Sequence, residues 1–85
     1  MKSITKIPRA EVYAAIDSER AYQDTLVRND VLDQSPMEQL ALIEYICAQM
    51  KADWYNNPGY PKLDYVRKIA GIAVRCMEMH GAPQR

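Results

Sequence analysis

Eighty-five residues, 48% of them apolar, make one domain with enough hydrophobic side chains for a packed core and too many for disorder. Eleven basic residues offset eleven acidic ones, so the chain has no bulk positive field to hold a polyanion, and general nucleic-acid binding is not expected. No apolar run approaches the roughly 20 residues a membrane span needs, and Met1 to Pro8 carry no apolar signal core, so a cytoplasmic protein without membrane association is expected. Cys47 and Cys76 lie far apart, without Cys-x-x-Cys spacing and in apolar helical registers. Both read as reduced core thiols.

The first helix is expected from about Pro8 to about Asn29. Pro8 suits a first helical turn, Glu11 suits its positive end, and Asn29-Asp30 stop it. Its inward stripe is Val12, Ile16, Glu19, Gln23 and Leu26, in which two polar residues interrupt an apolar series. The second helix, near 35–55, has the clearest start in the chain: Ser35 as N-cap, Pro36 at N1 and Glu38 at N3 spell a capping box. Met37, Leu40, Ile43 with Glu44, Cys47, Met50 and Trp54 share one face, and Leu42 and Ile46 widen it. A Pro58-Gly59 turn follows, with Trp54, Tyr55 and Tyr60 bunched around it. The third helix, near 61–80, enters at Pro61 and stops at Gly81.

That third helix is apolar on two sides. Leu63, Val66, Ala70, Ala73, Met77 and His80 form one stripe; Tyr65, Ile69, Ile72, Cys76 and Met79 form a second. A three-helix monomer buries about one broad stripe per helix, so a homo-oligomer through this helix and part of the second is expected. Gly71 costs about 1 kcal/mol against alanine in a helix interior, which implies that something packs on it.

The chemistry-bearing residues point to binding more than to catalysis. Glu44 has Cys47 three residues on, and Asp64 has Arg67, so no pair of acids on these helices has the spacing of a magnesium site. One histidine and two separated cysteines do not make a zinc site. No metal or cofactor is expected. The cysteines lie in apolar stripes, away from any activating base, and His80 suits the cation-favouring end of its helix. Glu19, Gln23 and Glu44 stand in apolar stripes, where each needs a polar partner or a wet cavity. Arg20, Arg67 and Arg75 are candidate partners. Arg67, Lys68 and Arg75 share a helical face with the bare Gly71 between them, an arrangement able to present guanidinium forks to a phosphate, although a solvated charged face has the same pattern.

Glu19-Arg20-x-x-Gln23-Asp24 and the ending His80-Gly81-Ala82-Pro83 resemble small phage-encoded all-α proteins. More distantly, the chain is similar to MazG-like nucleoside triphosphate pyrophosphohydrolases. Ala41-Leu42-Ile43-Glu44 falls where those enzymes carry a first Glu-x-x-Glu metal motif, and Ile69 to Val74 falls in their alanine-rich last helix. Cys47 replaces the second glutamate, and Tyr65 and Lys68 stand where further acids belong. The resemblance therefore implies the family's oligomer and pocket without its hydrolysis.

These features define an expectation: an all-α, three-helix domain spanning 1–85, forming a helical-bundle homo-oligomer. It would bind a small phosphorylated, nucleotide-like ligand without catalysis, through Glu19, Arg20, Gln23, Glu44, Arg67, Lys68 and Arg75. A phage origin would make sequestration of a host defence signal in the host cytoplasm a natural use. Two alternatives stay open. One is an inhibitor or adaptor that binds a host protein through leftover apolar surface. The other is a diverged pyrophosphohydrolase with ligands from Glu19, Glu44 and Asp64.

Overall fold

The computed structural model describes residues 6–26, 34–59 and 62–85, which form three α-helices. Helix α1 is Arg9–Asp24, α2 is Pro36–Asn56 and α3 is Leu63–His80. The all-α architecture follows the sequence pattern, and among the described residues no helix is long and apolar enough to cross a membrane.

Helix α1 starts after Pro8, whose carbonyl accepts from the amides of Glu11 and Val12. It ends earlier than the apolar stripe implies. The Thr25 amide donates to the Tyr22 carbonyl in a tightened last turn, and the Thr25 hydroxyl donates to the same oxygen at 2.6 Å. A hydroxyl that satisfies a final carbonyl competes with the next helical bond. The Asn29-Asp30 stop lies outside the described residues, as do Tyr60 and Pro61.

Helix α2 begins with the expected capping box. Ser35 Oγ accepts from the Glu38 amide at 3.2 Å, and Glu38 Oε1 accepts from the Ser35 amide at 2.9 Å. Hydrogen bonding from the Ser35 amide first, and then from its hydroxyl, holds the Glu38 carboxyl below its ordinary pKa. At the far end the Asn57 amide returns to the Asp53 carbonyl, and Gly59 turns the chain at φ 109°, a conformation that favours glycine. Gly81 ends α3 in the same way, at φ 123°, its amide donating to the Met77 carbonyl at 2.8 Å.

Helices α2 and α3 run antiparallel. The Tyr65 hydroxyl donates to Asp53 Oδ2 at 3.3 Å near one end. Near the other, Gln39 Nε2 meets Met79 Sδ at 3.3 Å, and His80 Nε2 donates to the Gln34 carbonyl at 2.8 Å. A carbonyl only accepts, so that contact puts a proton on Nε2.

Helix α3 is the centre of the fold. Both α1 and α2 pack against it, whereas among the described residues α1 and α2 do not pack on each other. The result is an open wedge rather than a closed bundle. Ile72 is the one large apolar side chain buried among the described residues; the other buried side chains are Glu19, Arg20, Gln23 and Gln39. Cys47 and Cys76 are free thiols, half-buried rather than enclosed.

The apolar face assigned to α2 is corrected. Met37, Leu40 and Trp54 are exposed, and Gln39, completely buried, is the residue of α2 most enclosed against α3. Apolar residues flank α2 on more than one side, so periodicity alone does not fix which flank meets α3. Trp54 and Tyr55 are exposed.

A groove between two helices that do not touch

Helix α1 is joined to α3 by a polar seam. Arg67 lies at its centre, with Nε donating to Glu19 Oε1 at 2.9 Å and NH1 to Asp64 Oδ1 at 2.8 Å. Gln23 Nε2 donates to Glu19 Oε2 at 3.1 Å and to the Lys68 carbonyl at 3.3 Å. Both Glu19 oxygens are therefore engaged, and its charge is neutralised where it is buried. Further along, Arg20 donates through Nε and NH2 to Glu78 Oε1, at 2.9 and 2.6 Å, and pairs with Asp24 at 3.0 Å. Burial alone would lower the Arg20 pKa, but the bonds to Glu78 and Asp24 outweigh it and raise it. Arg67 is raised too, by Glu19 first and then Asp64. Arg75 stands 3.8 Å from Asp24.

The seam changes what two sequence features mean. Arg67, Gly71 and Arg75 belong to the side of α3 that meets α1, with the exposed carboxylates of Asp64 and Glu78 at its edges. Gly71 is not bare, because the Gln23 and Glu19 side chains lie directly on it. No phosphate can approach the backbone there.

Because α1 and α2 stand apart, a groove of about 540 Å³ opens between them. Lys68, Ile72 and Arg75 form its floor on α3. Glu19, Tyr22, Gln23 and Leu26 form one wall; Leu42, Tyr45, Ile46 and Gln49 form the other, with Gln34 also at its lining. Among the described residues its charged lining is Lys68, Arg75, which is paired with Asp24, and Glu19, which is tied to Arg67. Two half-exposed tyrosines and three side-chain amides complete it. A second, shallower hollow of about 480 Å³ lies at the foot of the α2–α3 hairpin, along Asp53, Lys62 to Tyr65 and Lys68. There burial, and then the Asp53 carboxylate, push the Tyr65 phenol up. Lys68 Nζ sits 5.5 Å from the Tyr65 ring centre, within cation–π range.

Of the residues singled out from sequence, Glu19, Gln23, Lys68 and Arg75 come together in the groove. Arg20 and Arg67 are turned into the seam, and Glu44 is exposed on α2 and lines neither hollow. Among the described residues no three His, Cys, Asp or Glu side chains gather as a metal site would require. Tyr45, Gln49 and Gln34 escaped notice in the sequence. The i, i+3, i+4, i+7 spacing of Leu42, Tyr45, Ile46 and Gln49 was the available signal, a mixed stripe masked by the stronger apolar positions beside it.

No family model, curated protein or solved structure matches this chain.

Proposed function

We propose that this chain is a non-catalytic binding protein that holds a small phosphorylated, nucleotide-like ligand in the groove between α1 and α2, and that it works as a homo-oligomer. The observation that carries the proposal is the placement of Lys68 and Arg75 on the groove floor between Tyr22 and Tyr45. Two cations answer a phosphate, aromatic rings on either wall suit a flat base, and the side-chain amides of Gln34 and Gln49 offer both donors and acceptors to base or ribose edges. The groove volume lies in the roughly 300–1,000 Å³ range of small-molecule sites. A protein that holds such a ligand unchanged lowers its free concentration, which is the action required of a phage-type protein that sequesters a defence signal.

Titration calorimetry with linear and cyclic nucleotides tests this. Lys68→Ala and Tyr45→Ala should each weaken the tightest ligand at least tenfold, about 1.4 kcal/mol. Lys51→Ala, on an exposed position outside the groove, should not. Equal binding by all three variants would place the ligand elsewhere.

A further inference from the structure

Lys68 borders both hollows, on the floor of the groove and at the edge of the hollow below the α2–α3 hairpin. The carboxylates that line those hollows are each held by another group. Glu19 and Asp64 accept from Arg67 at 2.9 and 2.8 Å. Asp53 accepts from Tyr65 at 3.3 Å and stands 3.9 Å from Lys62. Asp64, four residues before Lys68, has the spacing of a helical ion pair with it but is taken by Arg67. Among the described residues Lys68 therefore makes no ion pair, whereas Arg75, the other cation of the groove, stands 3.8 Å from Asp24.

What Lys68 meets instead is a ring. Its ammonium sits 5.5 Å from the Tyr65 ring centre. Positions 65 and 68 are three apart, about 60° round the helix, so the two side chains share one side of α3. A ring attracts an ammonium through its quadrupole and, unlike a carboxylate, leaves the positive charge in place. The ring is itself fixed at its far end, where the phenol donates to Asp53 of α2. Without such a contact an exposed lysine stem moves freely, and a bound anion must immobilise it at a cost in affinity.

We infer that Tyr65 is a positioning residue for the groove: its ring holds the Lys68 ammonium at the floor without neutralising it, and Asp53 holds the ring in turn. Tyr65 is not among the described residues that line the groove, so it acts through Lys68 and not on the ligand. The inference rests on the phosphate binding proposed above, and it adds that the affinity of the groove is set in part from the neighbouring hollow. Removing the ring should weaken phosphate binding by about two- to fivefold, the span of a cation–π contact at an exposed site.

The Lys68 methylene next to the ammonium reports on the contact by NMR, because a ring face shifts the protons above it upfield. Assigned by its loss in Lys68→Ala, that signal should lie upfield of the other lysines in the wild type and in Tyr65→Phe. In Tyr65→Leu it should return to the ordinary lysine position. Inorganic phosphate, titrated at constant ionic strength, should then move the signal at about two- to fivefold lower concentration in the wild type than in Tyr65→Leu, with Tyr65→Phe nearer the wild type. A folded Tyr65→Leu protein whose Lys68 signal or phosphate response equals the wild type's would overturn the role of Tyr65 and leave the groove as a ligand site. If leucine unfolds the chain, the other two proteins still decide, because a Lys68 signal at the ordinary position in both overturns the contact. An upfield signal that phosphate moves in no variant would instead overturn the ligand site, and with it any positioning role, while the contact itself stands.

Discussion

Gly71 of α3 lies directly beneath the Gln23 side chain of α1: a Cβ at position 71 would come within 2.7 Å of Gln23 Nε2 and 2.8 Å of Glu19 Cγ. The glycine is what lets a pair of polar side chains lie flat across the helix and bond each other. Gly71→Ala gains about 1 kcal/mol of helix propensity, but intruding on a packed, hydrogen-bonded pair costs roughly 1–3 kcal/mol, so thermal unfolding should show a net loss. On a Gln23→Ala background the same substitution should lose less or turn stabilising, since the nearest obstacle is gone. An unchanged effect on both backgrounds would mean that Gln23 is not what requires glycine there.

Arg67 bridges Glu19, buried to 6% of its accessible surface, and exposed Asp64. Arg67→Met leaves a buried carboxylate with only the Gln23 amide, a loss of roughly 1–3 kcal/mol in denaturant unfolding. Glu19→Gln should reduce that penalty, giving a clear coupling energy in the double-mutant cycle. Arg67→Lys should recover only part of it, because an ammonium cannot reproduce the geometry of Nε and NH1 toward two acids.

How much of this was legible beforehand differs by residue. Ser35, Pro36, Glu38 and Gly81 act through bonds to near neighbours, so their spacing announced the start of α2 and the end of α3. Glu19 and Gln23 stood out as polar residues in an apolar stripe, and Gly71 as a helix glycine, but that they answer each other is a tertiary fact. Arg67 and Lys68 are adjacent and alike in charge. The 100° between them sends one into the seam and the other to the groove, and no sequence pattern tells which. The face of α2 departs from its apolar stripe because the completely buried residue there, Gln39, is polar.

Gln39 is fully buried, and among the described residues its Oε1 accepts no hydrogen bond while its Nε2 has only the Met79 thioether. An unmade bond to a buried amide oxygen costs roughly 1–3 kcal/mol, and a thioether loses little when its donor is removed. Gln39→Leu should therefore raise the melting temperature. If it lowers stability, the amide is held by a group outside the described residues.

The capping box gives α2 a pH dependence of known sign. The Ser35 amide, and then its hydroxyl, hold the Glu38 carboxyl below the ordinary glutamate pKa, so the folded state favours the ionised form more than the unfolded state does. The stabilisation is complete above the ordinary glutamate range and is lost as pH falls through the lower, folded value. Glu38→Gln should flatten that part of the stability–pH curve. An unaltered curve would assign the acid sensitivity to other carboxylates.

The central claim is that the groove floored by Lys68 and Arg75 holds a small phosphorylated ligand. Native mass spectrometry of the protein as purified from cells, then with nucleotides and cyclic nucleotides and no added magnesium, tests it most directly. The predicted result is a mass excess of one phosphorylated small molecule per chain, reduced in Lys68→Ala. Bare chains or bare oligomers that ignore every nucleotide offered would contradict it.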